Sequence, residues 1–252
     1  MRTIGLIGGM SWESSAHYYR IINELVRDSE GGLHSAKVLM YSVDFAGIES
    51  CQVEGRWDDA AVELAEAARA LERGGAECLV LCTNTMHKVA AQVAGAVAIY
   101  FIHIADATAA AIRAAGLRRV GLLGTRFTME EEFYAARLAD RGRVEVLVPE
   151  AADRAIVNRV IYDELCLGRV EERSRAEYLR IIDDLIARGA QGIVLGCTEI
   201  MMLVGQGDVS VPTFDTTTLH ARAAVDFALG GPAAGEPGRT GAVPTSAGGP
   251  TA

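Results

Sequence analysis

Lysine is almost absent from this chain: of its 24 lysines and arginines, only Lys37 and Lys88 are lysines. Neither ends an apolar strand, where a Schiff-base lysine is expected, so a pyridoxal-type cofactor is not implied. No basic stretch occurs and the formal net charge is −9, which argues against nucleic acid or an anionic membrane as partner. No apolar run reaches the ~20 residues needed to span a bilayer. The five cysteines contain no Cys-x-x-Cys motif, no metal-like pair and no framework spacing. Their odd count, in a chain that opens directly into strand-forming residues, leads us to expect a reducing, cytoplasmic setting. Gly and Pro are concentrated late: they make up 11 of the 23 residues from Gly230 onward. Residues 230–252 are therefore expected to be a disordered tail without chemistry.

Half of the 252 residues are apolar, enough for two ordinary domains. One stretch organises the rest. Cys78-Leu79-Val80-Leu81 is a short apolar run that ends in Cys82, followed by Thr83, Asn84 and Thr85. The pattern predicts a buried parallel strand delivering a thiol to the start of a helix. There the helix dipole is expected to lower the thiol's pKa. A core cysteine beside an ordinary helix cap is the plainer reading. The motif, however, recurs as Gly192-Ile193-Val194-Leu195-Gly196-Cys197-Thr198-Glu199. Both copies follow a matching strand and glycine turn: Cys82 lies 74 residues beyond Gly8, and Cys197 lies 73 beyond Gly124. One α/β unit used twice would place two equivalent cysteines across a cleft.

Strand and helix signals alternate throughout, which predicts an α/β fold of two pseudo-symmetric parallel-sheet domains. We assign residues 1–98 plus 215–229 to the first and 99–214 to the second. Ligands bind beyond the carboxyl ends of such strands. Gly8 to Ser11, Gly124 to Thr128 and the two cysteine motifs fall there. The glycine turn lacks the third glycine of a dinucleotide fingerprint, so a nucleotide is not favoured. Glu199 reads equally as a helix cap or as a partner for an ammonium group. Asp44 reads as a turn cap and Gln52 as a polar loop residue. His87 reads as helix surface; His103 and Asp215 each orient a group at the cleft or are satisfied buried polar residues. Cys51, Cys78 and Cys166 read as filler.

The set Gly8–Ser14 (GGMSWES), Leu33–Ala36 (LHSA), Ser42–Phe45 (SVDF), Leu81–Ala90 (LCTNTMHKVA), His103–Thr108 (HIADAT), Leu122–Met129 (LLGTRFTM), Asp163–Gly168 (DELCLG) and Gly196–Glu199 (GCTE) resembles the aspartate/glutamate racemase family. Within it the chain looks closest to the broad-specificity amino-acid racemases. The resemblance spans about residues 2–229 and implies an active site between the domains, without pyridoxal phosphate; from the cysteine spacing no metal is expected. It puts the catalytic pair on Cys82 and Cys197, and substrate contacts on Met10, Gln52, Thr83, Asn84, Thr85, Thr125 and Thr198. Members selective for aspartate carry basic residues where this chain has Glu49 and Cys166, with Arg126 the nearest substitute. A neutral or polar amino acid is therefore expected over aspartate.

The chemistry is consistent with the residues. Inverting Cα needs a base on one face and an acid on the other, and a thiolate and a thiol that exchange roles supply both. The expected partners are an amino-acid substrate and a second copy of the chain in a homodimer. Other readings are an aspartate or glutamate racemase proper, a hydantoin racemase, a decarboxylase, a maleate-type isomerase, a redox pair, or a two-lobed binding protein without turnover.

Overall fold

The computed structural model describes residues 1–231. The expected disordered tail lies almost wholly outside them. The first unit runs β1 (Ile4–Gly8), α1 (Trp12–Glu30), β2 (Val38–Ser42), α2 (Phe45–Glu54), α3 (Trp57–Arg73), β3 (Cys78–Leu81), α4 (Ala90–Gly95) and β4 (Tyr100–Ile102). The second runs α5 (Ile104–Ala114), β5 (Arg119–Gly124), α6 (Arg126–Glu130), α7 (Glu132–Gly142), β6 (Glu145–Leu147), α8 (Ala151–Asp163), α9 (Glu172–Ala187), β7 (Ile193–Gly196) and β8 (Thr213–Asp215), and α10 (Thr216–Ala228) follows.

The two sheets have the same all-parallel order, β2-β1-β3-β4 and β6-β5-β7-β8. The inner strands β1, β3 and β7 are buried at every residue, and β5 at all but Arg119. Such unbroken apolar runs suit strands covered on both faces. On one face of the first sheet, Ile7, Leu79 and Leu81 pack against the alanine-rich face of α3 through Leu64, Ala67 and Ala68. On the other, Ile4, Leu6 and Val80 meet Tyr18 and Ile22 of α1 and Ala221 and Val225 of α10. The second sheet repeats this with α8 and α9 on one side and α5 and α7 on the other.

Three expectations need correcting. Tyr100–Ile102 pairs with β3, so the first sheet runs past the boundary expected at residue 98. The chain crosses over at His103 and Ile104, and α10 returns to the first core. Gln52, read as a polar loop residue, lies in α2: Asp44 caps that helix by accepting from Ala46 N at 3.3 Å, and Gly55 ends it at φ 72°. Gln52 is thereby buried at 4% exposure. Finally, no α-helix starts directly at either cysteine. A 3₁₀ turn, Thr85–Val89, precedes the short α4, and another, Ile200–Met202, follows Cys197. Among the described residues no helix is long and apolar enough to cross a membrane.

Candidate active site

In each sheet the chain turns outward in opposite directions from the two inner strands, which opens a crevice at their carboxyl ends. The loops after β1 and β3 flank the first crevice, and those after β5 and β7 flank the second. Gly9 makes the β1 turn at φ 96°, and a Cβ there would lie 2.2 Å from Val43 O. Only glycine lets the loop pass so close to the chain after β2.

These loops enclose one cavity lined by Met10, Gln52, Thr83, Asn84, Thr85, Thr125, Cys197, Thr198 and Glu199. Phe45, Ile161, Tyr162 and Cys166 complete its wall. Its volume is about 30 Å³, room for a water or two and not for an amino acid. Hydrogen bonds between the units hold it shut: Thr85 Oγ1 with Thr125 Oγ1 at 3.0 Å, Ser11 Oγ to Glu199 Oε1 at 2.8 Å, and Tyr162 Oη to Gln52 Oε1 at 3.3 Å.

Asn84 is fixed from one side. Its Nδ2 donates to Thr216 Oγ1 at 3.0 Å, and that hydroxyl in turn donates to Leu195 O at 2.8 Å. Because the threonine proton is committed to the carbonyl, Asn84 must present its amide nitrogen there. Its Oδ1 is buried and without a partner. An acceptor of this kind costs free energy until a donor reaches it.

The two cysteines are not equivalent. Cys82 N still donates to Ile7 O at 2.9 Å, so Cys82 stands in the ladder opposite Gly8. Cys197 lies one residue beyond the pair formed by Gly124 and Gly196. A step of one residue turns a strand side chain to the other face. Cys82 therefore packs fully buried with Ile4, Leu6, Tyr18 and Val80 and is not among the cavity-lining residues. Its Sγ reaches only Val80 O, at 3.8 Å. Cys197 lines the cavity, and its Sγ donates to Glu199 Oε2 at 3.0 Å.

Burial pushes the Cys82 thiol up, and burial followed by the Glu199 carboxylate does the same to Cys197. The expected lowering by a helix dipole is overturned, because desolvation opposes the thiolate and the dipole of a single 3₁₀ turn is slight. Both thiols are protonated in the closed site. Glu199 does not cap: it accepts from Ser11, Cys197 and, at 2.6 Å, from Thr198 Oγ1.

The remaining candidates are structural. His103 and Asp215 cap α5 and α10 in matching fashion. His87, expected on the helix surface, is buried: Nδ1 meets Thr83 O at 2.7 Å, and Nε2 accepts from Ile104 N at 3.2 Å. His220, which the sequence did not single out, joins Tyr18 Oη at 3.0 Å to Ile102 O at 2.7 Å. Two neutral imidazoles thus hold the crossover between the units. Arg126 is exposed over the Phe127 ring and does not line the cavity. Cys51 and Cys78 are buried in the core, whereas Cys166 lines the cavity. Among the described residues, no group of three or more His, Cys, Asp or Glu is placed to hold a metal.

The fold as a whole is shared with known proteins. Residues 7–224 match the Asp/Glu/Hydantoin racemase family. The chain belongs to that family. A Yersinia pestis protein solved as a candidate Asp/Glu racemase is 55% identical, with a TM-score of 0.85 over 91% of this chain and 100% of its own. An aspartate racemase homologue from Pyrococcus horikoshii is 36% identical, with a TM-score of 0.79 over 91% and 100%. Glutamate racemase from Francisella tularensis, solved with D-glutamate, shares the fold at 13% identity and a TM-score of 0.61, over 88% and 78%. Among the described residues, no lysine or arginine lines the cavity. After burial, the groups that raise the Tyr162 hydroxyl are Cys197, Cys166, Glu49 and Glu199, all acids. Phe45, Ile161 and Tyr162 escaped the sequence reading; only Phe45, inside the Ser42–Phe45 stretch, carried a signal.

Proposed function

We propose that this family member racemises amino acids without a cofactor, using Cys82 and Cys197 as the two proton carriers, and favours neutral or polar side chains. The observation that carries the reading is the cavity itself. It lies between two like sheets whose inner strands β3 and β7 each lead into Cys-Thr, and its free buried acceptor is Asn84 Oδ1. That acceptor suits an α-ammonium group. The hydroxyls of Thr85, Thr125 and Thr198 suit an α-carboxylate, whose growing charge they would stabilise as Cα is deprotonated. Phe45, Ile161, Tyr162 and Cys166 form an uncharged wall for the side chain.

Substrate must first part the units, because the closed cavity is too small for it, and the same opening must bring the core-packed Cys82 thiol to face the cleft. As the ammonium arrives, its positive charge favours a thiolate nearby, offsetting the desolvation that keeps both thiols protonated, and the released proton passes to water in the open cleft. One thiolate then removes the Cα proton while the opposite thiol delivers its own, and the roles reverse for the other enantiomer. No carbon is lost.

The test is incubation of the protein in heavy water with each proteinogenic amino acid, homoserine and ornithine, followed by chiral chromatography and mass analysis. The reading requires deuterium at Cα in the opposite enantiomer. Absence of exchange in all of them, together with turnover of a hydantoin or release of carbon dioxide from a malonate, would overturn it.

A further inference from the structure

A two-thiol racemase ends each turnover in the wrong protonation state for a second substrate of the same hand. The carrier that gave its proton must be reloaded, and the one that took a proton must lose it. The structure treats the two thiols differently at this point. Cys82 has no side-chain partner beyond the weak contact to Val80 O. Cys197 is hydrogen-bonded to a carboxylate that is 4% exposed. Among the described residues no lysine or arginine is paired with Glu199; hydroxyl and thiol donors alone hold it.

Glu199 also stands between two spaces. It lines the closed cavity, and together with Thr198 it lines a second cavity of about 480 Å³ on the far side. Ala16, Arg20 and Met202 line that outer cavity and are exposed to solvent or partly so. It also carries His17, whose Nε2 has no hydrogen-bond partner. Its volume admits many waters.

We propose that Glu199 is a proton relay that reloads Cys197 from solvent between turnovers through this outer cavity, an inference that rests on the racemase reading above. When Cys197 has given up its proton, water in the outer cavity donates one to the Glu199 carboxylate, leaving hydroxide there. The O–H bond at Oε2 then breaks as an S–H bond forms at Cys197, Glu199 returns to carboxylate, and the proton that Cys82 releases to solvent neutralises the hydroxide. The matching proton on Cys82 leaves to water admitted when the cleft opens for product release. No oxidant or further reactant is needed.

The test compares first-turnover and steady-state rates for the unmodified protein, Glu199→Gln and Glu199→Ala, with whichever of homoserine, methionine or leucine the unmodified protein racemises fastest. The relay predicts that in Glu199→Gln the steady-state rate falls at least tenfold further than the rate of first Cα-proton removal. It also predicts that a labelled tracer is transiently driven off equilibrium when excess unlabelled antipode is added, and that formate partly restores steady turnover in Glu199→Ala. If first-turnover and steady-state rates fall together and formate does nothing, Glu199 only shapes the site. If neither rate changes, reloading bypasses it. If the unmodified protein exchanges no amino acid at all, the racemase reading fails and the relay with it, an outcome visible before any variant is made.

Discussion

Aspartate should be a poor substrate, and the size of the effect follows from the cavity wall. A second carboxylate entering a partly desolvated site needs a cation or several donors to replace its hydration. Among the described residues no lysine or arginine lines this cavity, and Arg126 is exposed over Phe127. Glu199 is part of the wall, and Glu49 lies close enough to act on the Tyr162 hydroxyl. At an effective dielectric of ~20, a like charge several ångströms away costs about 1–3 kcal/mol. The missing charged hydrogen bonds would have contributed about 2–5 kcal/mol. Taking only the low end of the two together, about 3 kcal/mol, kcat/KM for aspartate should be roughly 100-fold or more below that of a neutral amino acid of similar size. The assay is a side-by-side measurement of aspartate, glutamate, homoserine, methionine and leucine on the unmodified protein. Glu49→Arg combined with Cys166→Lys should recover part of the aspartate activity. If aspartate is the best of the five, the charge argument is wrong, and Arg126→Ala becomes the variant that tells whether that guanidinium swings inward.

Four other outcomes are expected. Cys82→Ala and Cys197→Ala should each keep the fold and lose racemisation by roughly 10³-fold or more; a folded single variant with near-normal turnover would refute the two-base mechanism. Gly9→Ala should destabilise by at least ~2 kcal/mol in urea unfolding, since its Cβ would stand 2.2 Å from Val43 O. Burial holds His220 down at about 4, against ~6.5 when unfolded. The unfolded chain then binds more protons between these values, so on the order of 3 kcal/mol of stability is present above pH ~6.5 and is lost as pH falls towards 4. His220→Gln should flatten that part of the pH–stability curve. Tyr162→Phe removes the 3.3 Å bond to Gln52 that spans the units, so kcat/KM should change by about fivefold, reflecting about 1 kcal/mol, with the melting temperature nearly unmoved.

What the sequence determined by itself was the repeated unit and most of the polar shell. Continuous apolar runs such as Ile4–Gly8 and Ile193–Gly196 can only be strands covered on both faces, and glycine turns followed by hydroxyl residues mark their carboxyl ends. Met10, Thr83 to Thr85, Thr125 and Thr198 were legible through the family resemblance, and their place at the carboxyl ends of strands agrees with it; Glu199 stood evenly between a helix cap and an ammonium partner. Periodicity could not reveal α2, because Gly47 and the exposed Val53 leave it without a continuous apolar face; Asp44 and Gly55 hold its ends, and packing against the first core decides the rest. Nor could it reveal the register. Counting from Gly8 and Gly124 makes the cysteines look equivalent, but strand pairing puts Cys82 inside the ladder and Cys197 one residue beyond it. That single step decides which thiol lies in the core and which meets Glu199, and with it the protonation of both. Residue types name the groups able to carry protons; only the tertiary structure sets how much water each keeps, and desolvation outweighs the weak dipole of a single turn.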